Sequence, residues 1–240
     1  INERGVRDQV VILGKGAHTP WCKPDGITTQ LSESLDWLQT DYIDIYMLHR
    51  DNPEVPVSEF IDVLNEHKNA GRIHAFGGSN WSIDRVRQAN DYARSNGLAG
   101  FSAISNNFSL ARMIEAVSGC ISASDIESRA WLTDEQIPNF SWSSLARGFF
   151  ARGNRSDTSD PGLVSSWYSE DNFERFDRAN ELAARRGVLS IQIALAYVLR
   201  QPFPSFALIG PSTIDELRTS VEAVNIELSP KELRWLNLEN

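Results

Sequence analysis

The 240-residue sequence contains few cysteines and no excess of positive charge. Its two cysteines, Cys22 and Cys120, lie far apart, so they form no disulfide framework and fit a reducing, cytoplasmic setting. No apolar run approaches the roughly 20 residues that a membrane helix needs. The net charge of −9 argues against nucleic-acid binding, which requires a basic surface. The composition therefore favours a cytoplasmic globular protein with no membrane span and no nucleic-acid partner.

Three further signals are also missing. The glycine-rich fingerprint of a Rossmann-type dinucleotide site, G-x-G-x-x-G, does not occur. His18 and Cys22 have the spacing of two metal ligands, but two ligands alone do not make a zinc site, so we predict no metal. The first residues, INERGVRDQ, are polar and are not a signal peptide. Because the chain begins with Ile, we expect that it starts within a longer coding sequence or after processing.

Short apolar runs alternate with longer segments of helical period. We predict six strands, near residues 10, 43, 73, 102, 138 and 205. Helices are predicted over 28–40, 57–71, 82–97, 172–187 and 190–201, and two more begin at the capping boxes 213–216 and 229–232. Residues 151–169 are rich in Gly, Ser, Asp and Pro, which predicts a long surface loop. Repeated βα units imply a parallel sheet covered by helices, here in one domain over residues 1–240.

Polar residues follow the predicted strands at the points where those strands end. Lys15 follows VVILG, His49 follows IDIYML, and Ser79 and Asn80 follow the third strand. The carboxyl ends of the strands form the active face of a (β/α)8 barrel. A doubly wound sheet would place ligands there too, but it usually has a glycine-rich first turn. The strand ends are therefore the predicted reaction site.

Six segments resemble the aldo-keto reductase family and follow the family's order through nearly the whole chain. They are DYIDIYMLHR (41–50), AGRIHAFGGSNW (70–81), SWSSLARGFF (141–150), IALAYVLRQP (193–202), LIGPSTIDEL (208–217) and LSPKELRWLNL (228–238). The resemblance implies an α/β fold of the (β/α)8 TIM-barrel type. We expect the barrel to be incomplete, with about six parallel strands and surrounding helices, because the family's first two βα units belong upstream of Lys15. GGSNW and WSSLARGFF also resemble the reductase domains fused to Rossmann-type sugar dehydrogenases.

The resemblance implies transfer of a hydride from NADPH, or less often NADH, to an aldehyde or ketone. Lys15 and His49 match the family's catalytic lysine and histidine. The histidine orients the carbonyl, and the lysine lowers the pKa of a tyrosine that protonates the carbonyl oxygen. That tyrosine and its aspartate partner belong upstream of Lys15, and none of the five tyrosines present lies in a matching motif. We therefore expect the isolated chain to be a weak catalyst.

The resemblance also implies an NADP site, with NAD remaining open as the alternative. Ser79 and Asn80 match the pair that bonds the nicotinamide carboxamide, Ser105 stands in place of a glutamine with the same role, and Trp142 replaces the tyrosine that stacks on the nicotinamide. The matches along the rest of the dinucleotide are Ser143, Leu145 and Arg147 for the pyrophosphate turn, Gly210 and Ser212 for the last phosphate loop, and Thr219 and Ser220 for the adenine contacts. Ser212 replaces the family's 2′-phosphate arginine, which weakens any preference for NADPH.

Two other functions are compatible with these residues. A degenerate or partial barrel could serve as a binding module, because its open sheet edges would pair with a second copy or with a fused or partner domain. Alternatively, Lys15 could form a Schiff base with a carbonyl substrate, as aldolases on this architecture do. In each enzymatic alternative, the partner is a small-molecule carbonyl or alcohol.

Overall fold

The computed structural model describes residues 1–239. The chain divides into two compact units, the first comprising Ile1–Ser105 and the second beginning at Asn106. The assignment of residues 1–240 to one domain stays a prediction.

The first unit contains four parallel strands separated by helices. Its elements are β1 (Leu13–Gly16), α1 (Pro24–Leu38), β2 (Ile43–Leu48), α2 (Val57–Asn69), β3 (Ile73–Ser79), α3 (Ile83–Ser95) and β4 (Ala103–Ser105). Strand β2 pairs with β1 and β3, and β3 also pairs with β4. The register places Lys15 beside Met47 and Ser79 beside Ser105. The carboxyl ends of neighbouring strands therefore lie together.

Buried apolar side chains hold the helices of this unit on the sheet. Helix α2 buries Phe60 and Leu64, which lie four residues apart on one helical face. Ser82 caps α3, and its hydroxyl accepts a hydrogen bond from the backbone N–H of Arg85. Trp81 is fully buried and contacts Phe60 edge to face.

The second unit is mainly helical. It contains α4 (Ile126–Glu135), β5 (Asn139–Ser141), α5 (Phe149–Arg152), α6 (Pro161–Trp167), α7 (Glu170–Arg186), α8 (Ser190–Leu199), β6 (Ser205–Ala207), α9 (Ile214–Glu222) and α10 (Pro230–Leu236). Strands β5 and β6 pair in parallel, with Ser141 beside Ala207. Helix α8 is the most buried helix of the unit because its apolar residues surround the whole helix. The six predicted strands are confirmed, although several are shorter than their apolar runs.

The predicted surface loop over 151–169 is wrong in its second half, where the chain forms α6. Asp160 caps this helix by accepting from the backbone N–H of Leu163, and Pro161 occupies its first turn, where no backbone donor is needed. Trp167 is fully buried at the end of the helix. Burial of the indole stabilises a helix whose composition resembles a loop. Helix α4 was not predicted either.

One predicted capping box is confirmed and the other forms only in part. At α10, Ser229 and Glu232 exchange both capping hydrogen bonds. At α9, the Thr213 hydroxyl accepts from the Glu216 N–H at 3.1 Å. The Glu216 carboxylate, however, accepts from the backbone N–H of Ser212 at 2.6 Å. It therefore bonds one residue further upstream than a capping box requires.

Within residues 1–239, no single helix is both long and apolar enough to cross a membrane. Helices α7 and α8 meet that length and composition test only as a pair, and they are bent by 102° relative to each other. The same residues contain no cluster of three or more His, Cys, Asp or Glu side chains that could hold a metal ion.

Candidate functional site

Two separate groups of side chains carry the predicted chemistry, one in each unit. In the first unit, the Lys15 ammonium lies at the carboxyl end of β1 and reaches across two neighbouring strand ends. It donates to Ser79 Oγ at 3.0 Å and to Ser105 Oγ at 2.8 Å. Both serines are fully buried. The structure therefore joins the predicted catalytic lysine to two residues that were predicted as cofactor contacts.

The Ser79 hydroxyl connects these groups further. It donates to the carbonyl oxygen of Ser105 at 2.9 Å, so its lone pairs remain available to accept from Lys15. The Asn80 side-chain amide donates to Ser79 Oγ at 3.3 Å and to the carbonyl of His49 at 3.4 Å. Lys15, His49, Ser79, Asn80 and Ser105 thus form one hydrogen-bonded network.

His49 lies at the tip of β2, half-buried beside this network. Its backbone N–H donates to the carbonyl of Gly16 at 2.6 Å. Burial lowers the pKa of the His49 imidazole to about 4, and the positive charge of Lys15 acts in the same direction. The ring is therefore neutral at physiological pH, and a neutral imidazole can donate one N–H to a carbonyl oxygen while its other nitrogen accepts.

The backbone around the network is shaped by small residues. A side chain at Gly77 would clash with the carbonyl oxygen of Ala103 and would lie 2.8 Å from the Met47 sulfur. Asn80 has a φ of 58°, in the left-handed region that asparagine tolerates better than most residues. The GGSN sequence therefore allows the turn that brings Ser79 and Asn80 to the strand ends.

Tyr46 is the tyrosine of β2, but it lies on the other face of the sheet from Lys15. A side chain at Gly16 would clash with the Tyr46 hydroxyl, and adjacent residues of a strand point to opposite faces. The hydroxyl is buried and has no hydrogen-bond partner among the described residues. Burial raises the pKa of the phenol. Tyr46 is therefore not placed to donate a proton beside Lys15.

His18 lies in the loop that follows β1. Its ring contacts the His49 ring edge to face, with 4.8 Å between the ring centres. Cys22, in the same loop, donates to the carbonyl of Ala17 at 2.9 Å, and burial raises the pKa of its thiol. The cysteine is therefore held as a buried thiol, and the histidine is the residue of this loop that reaches the site.

In the second unit, a cavity of about 950 Å³ lies beside the turn after β5, the end of β6 and the start of α9. This volume suits a large ligand, since pockets for small molecules span roughly 300–1,000 Å³. Most of the cofactor residues predicted in this unit line it: Ser143, Leu145, Arg147, Gly210, Ser212, Thr219 and Ser220. Among the described residues, Trp142 lies just outside that lining. The Ser144 hydroxyl donates to the Leu208 carbonyl at 2.8 Å and ties two walls of the cavity together.

The turn after β5 has an unusual backbone. Ser143, Ala146 and Arg147 all have φ values near 50°, and Gly148 follows at 83°. Left-handed conformations cost non-glycine residues energy and occur preferentially at functional sites. Two hydrogen bonds close the turn, from the Ala146 N–H to the Ser143 carbonyl and from the Gly148 N–H to the Leu145 carbonyl. This turn presents Arg147 to the cavity.

Helix α6, which the sequence analysis missed, supports the basic side of the cavity. Arg152 also lines the cavity, and its guanidinium pairs with Asp160 at 3.2 Å. A side chain at Gly162 would lie 2.9 Å from the Arg147 guanidinium, so this arginine rests against the first turn of α6. The hydrogen bond from the Leu163 N–H lowers the pKa of Asp160 below its usual range, and the charges of Arg152 and Arg147 act in the same direction. Asp160 therefore positions Arg152, a role that the sequence analysis did not predict.

The part of the cavity wall that comes from α9 is acidic. Asp215 and Glu216 line the cavity there, and the Glu216 carboxylate accepts a hydrogen bond from the backbone N–H of Ser212. The predicted adenine contacts fit less well. The Ser220 hydroxyl donates to the Glu216 carbonyl at 2.9 Å, within its own helix, and the side chain is largely buried. Thr219 borders the cavity, and its carbonyl accepts from Gln192.

A model of the aldo/keto reductase family matches residues 1–237. Versiconal hemiacetal acetate reductase of Aspergillus parasiticus is 28% identical over 81% of this chain. The norsolorinic acid reductase of Aspergillus flavus is 27% identical over 93% of it. The chain spans 56% and 53%, respectively, of the lengths of these two relatives.

Two solved structures share the fold. The thermostable aldo-keto reductase Tm1743, in complex with the inhibitor epalrestat, superposes with a TM-score of 0.75 at 20% identity, over 98% of this chain and 73% of that chain. An aldo/keto reductase from Klebsiella pneumoniae in complex with NADP and acetate gives a TM-score of 0.71 at 23% identity, over 98% and 71%. The α/β fold with parallel strands of the TIM-barrel type is thereby confirmed. The resemblance to reductase domains fused to sugar dehydrogenases stays a prediction.

Proposed function

Because the chain belongs to the aldo/keto reductase family, an oxidoreductase family, we propose that it takes part in the NAD(P)H-dependent reduction of an aldehyde or ketone to an alcohol. The observation that carries the proposal is the network in which the Lys15 ammonium joins the ends of three strands beside a neutral His49. Two relatives from Aspergillus are named as reductases, which supports reduction as the reaction class.

We assign the catalytic roles to Lys15 and His49. The neutral imidazole of His49 donates a hydrogen bond to the substrate carbonyl and orients it. The Lys15 ammonium, held by two serine hydroxyls, would stabilise the negative charge on the carbonyl oxygen and would donate the proton that completes the alcohol, while the bound cofactor would supply the hydride. Ser79, Asn80 and Ser105 then position the nicotinamide carboxamide through amide and hydroxyl groups of the same network.

We assign the cavity of the second unit to the pyrophosphate and adenosine of a dinucleotide. Two arginines on one side suit the pyrophosphate, because guanidinium groups form strong, charge-assisted hydrogen bonds with phosphate oxygens. The NADP bound in the Klebsiella structure supports a nicotinamide dinucleotide as the cofactor class. NADP and NAD are both candidates, and Trp142 remains a candidate for stacking on the nicotinamide.

The test is oxidation of NADPH and NADH by the full chain with a panel of aldehydes and ketones. Replacing Lys15 by Met should lower the rate by roughly 10²–10⁴-fold, the usual range for acid–base assistance. Dinucleotide affinity should fall much less than the rate, because the cavity arginines are untouched. Lys231, on α10, provides a matched Lys→Met control. Equal activity of the Lys15 and Lys231 variants would contradict the catalytic assignment.

A binding module is the second candidate function, and the position of Tyr46 favours it. In the described part of the first unit, the tyrosine of β2 points away from Lys15, so it supplies no proton there. Dinucleotide binding by the full chain without turnover of any carbonyl would support this candidate. Pairing with a second copy or a partner domain through an open sheet edge stays a prediction.

A further inference from the structure

The charged residues that line the cavity of the second unit come from one basic segment and one acidic segment. Arg147 and Arg152 lie on the segment that follows β5, and Asp160 and Gly162 of α6 hold them there. Asp215 and Glu216 lie in the first turn of α9. For a dinucleotide whose pyrophosphate lies against the arginines, these carboxylates are the remaining charged groups of the cavity wall.

Glu216 occupies the position at which a helix would ordinarily attract an anion. The N-terminus of α9 carries a partial positive charge and free backbone N–H groups, which favour phosphate. Here the Glu216 carboxylate already accepts from the Ser212 N–H at 2.6 Å. A phosphate arriving there would have to displace this carboxylate and would then face its negative charge.

The basic group nearest in sequence does not offset this charge. Arg218, on the same helix, pairs with Asp215 at 3.0 Å, and both side chains are largely exposed. Position 212 carries a serine, which has no positive charge to offer. A ribose hydroxyl, in contrast, can donate to a carboxylate that already accepts a backbone hydrogen bond, since a carboxylate has several acceptor sites.

We propose that Glu216 determines the cofactor preference of this cavity by accepting from the adenosine ribose hydroxyls and by repelling a 2′-phosphate. The cavity then binds NAD(H) in preference to NADP(H). This inference rests on the proposed function, because it presupposes that a nicotinamide dinucleotide occupies the cavity. The same division of roles, with a carboxylate for the ribose hydroxyl and an arginine for the 2′-phosphate, is used by Rossmann folds with a different backbone.

The test is calorimetric titration of the full chain with NAD⁺ and with NADP⁺, which needs no turnover. The wild type should bind NAD⁺ at least about tenfold more tightly, because like charges about 4 Å apart near a protein surface repel strongly. Glu216→Gln should reduce that ratio by about tenfold, since its amide oxygen still accepts from Ser212 but carries no charge. Thermal melting of the variant checks that α9 keeps its cap.

Glu127→Gln is the matched control, because it makes the same change in the first turn of α4, at an exposed position that does not line the cavity. Its ratio of the two affinities should stay within about threefold of the wild type, since exposed charges are well screened. The inference is overturned if the wild type prefers NADP⁺, if Glu216→Gln leaves the ratio unchanged, or if Glu127→Gln shifts it equally. Binding of neither dinucleotide would refute the proposed function itself, and the inference with it.

Discussion

The strongest quantitative prediction concerns the protonation of His49. Burial and the neighbouring Lys15 ammonium lower the pKa of this imidazole to about 4, whereas in an unfolded chain it is near 6.5. Between these two pH values, the unfolded state binds a proton that the folded state does not. The free energy of unfolding should therefore rise with pH through this window and level off above about pH 6.5.

The size of this effect follows from the same two values. At 1.36 kcal/mol per pKa unit, the full difference would be about 3 kcal/mol. The ring is only half-buried, so solvent screening reduces the expected effect to about 2 kcal/mol. His49→Gln removes the titrating ring. Across this pH window, the free energy of unfolding of the variant should therefore change by about 2 kcal/mol less than that of the wild type.

Urea denaturation of both proteins at pH 4.5, 5.5 and 7.0 measures this difference, and the ring proton resonances of the wild type report the His49 pKa directly. The reasoning is refuted if the ring titrates near pH 6.5. It also fails if the two proteins lose stability in parallel as the pH falls, because the proton would then be taken up elsewhere.

Three further predictions concern stability, each measured by urea denaturation. Arg7→Ala should cost about 2–4 kcal/mol at pH 7, because it leaves the partly buried carboxylate of Asp44 without its 2.8 Å ion pair. Several hydrogen bonds hold the pKa of Asp44 below its usual range despite partial burial, so this cost should shrink as the pH falls below about 4, and a constant cost would contradict the pairing. Gly77→Ala should cost at least about 2 kcal/mol, since its methyl group would press on the Ala103 backbone, and a neutral effect would be inconsistent with that contact. Trp167→Ala should cost about 3–5 kcal/mol if α6 is packed as described, and less than 1 kcal/mol if residues 161–167 are a loop.

The sequence predicted the longest and most regular elements well, for a clear physical reason. Strand β2 has an apolar run that ends abruptly at His49, and α3 has a serine cap and a glycine after its end, so local signals agree with the fold. The shorter elements carried weaker signals. Strands β4, β5 and β6 have three residues each, which periodicity alone does not delimit.

Helix α6 was missed because its composition, rich in Pro, Gly and Ser, is typical of loops. The signal that could have found it was the Asp160–Pro161 pair, which combines an N-cap residue with a proline in the first turn. Its stabilisation comes from the burial of Leu163 and Trp167, which no local pattern reveals.

The residues of the candidate site were predicted better than their contacts. Lys15, Ser79 and Ser105 were all named from their positions at strand ends, but the hydrogen bonds among them depend on the register of four strands. The bond from Glu216 to Ser212 depends on one turn of backbone before α9. A capping pattern predicts that a carboxylate folds back, but it does not determine which N–H the carboxylate accepts from.

The support that α6 gives to Arg147 and Arg152 has a practical consequence for directed evolution. Substitutions in the first turn of that seven-residue helix, such as at Gly162, would displace Arg147 and so alter ligand affinity, although no residue of α6 lines the cavity. A mutant library that varies only the residues lining the cavity would miss these substitutions. A library that also varies residues 160–162 would include them.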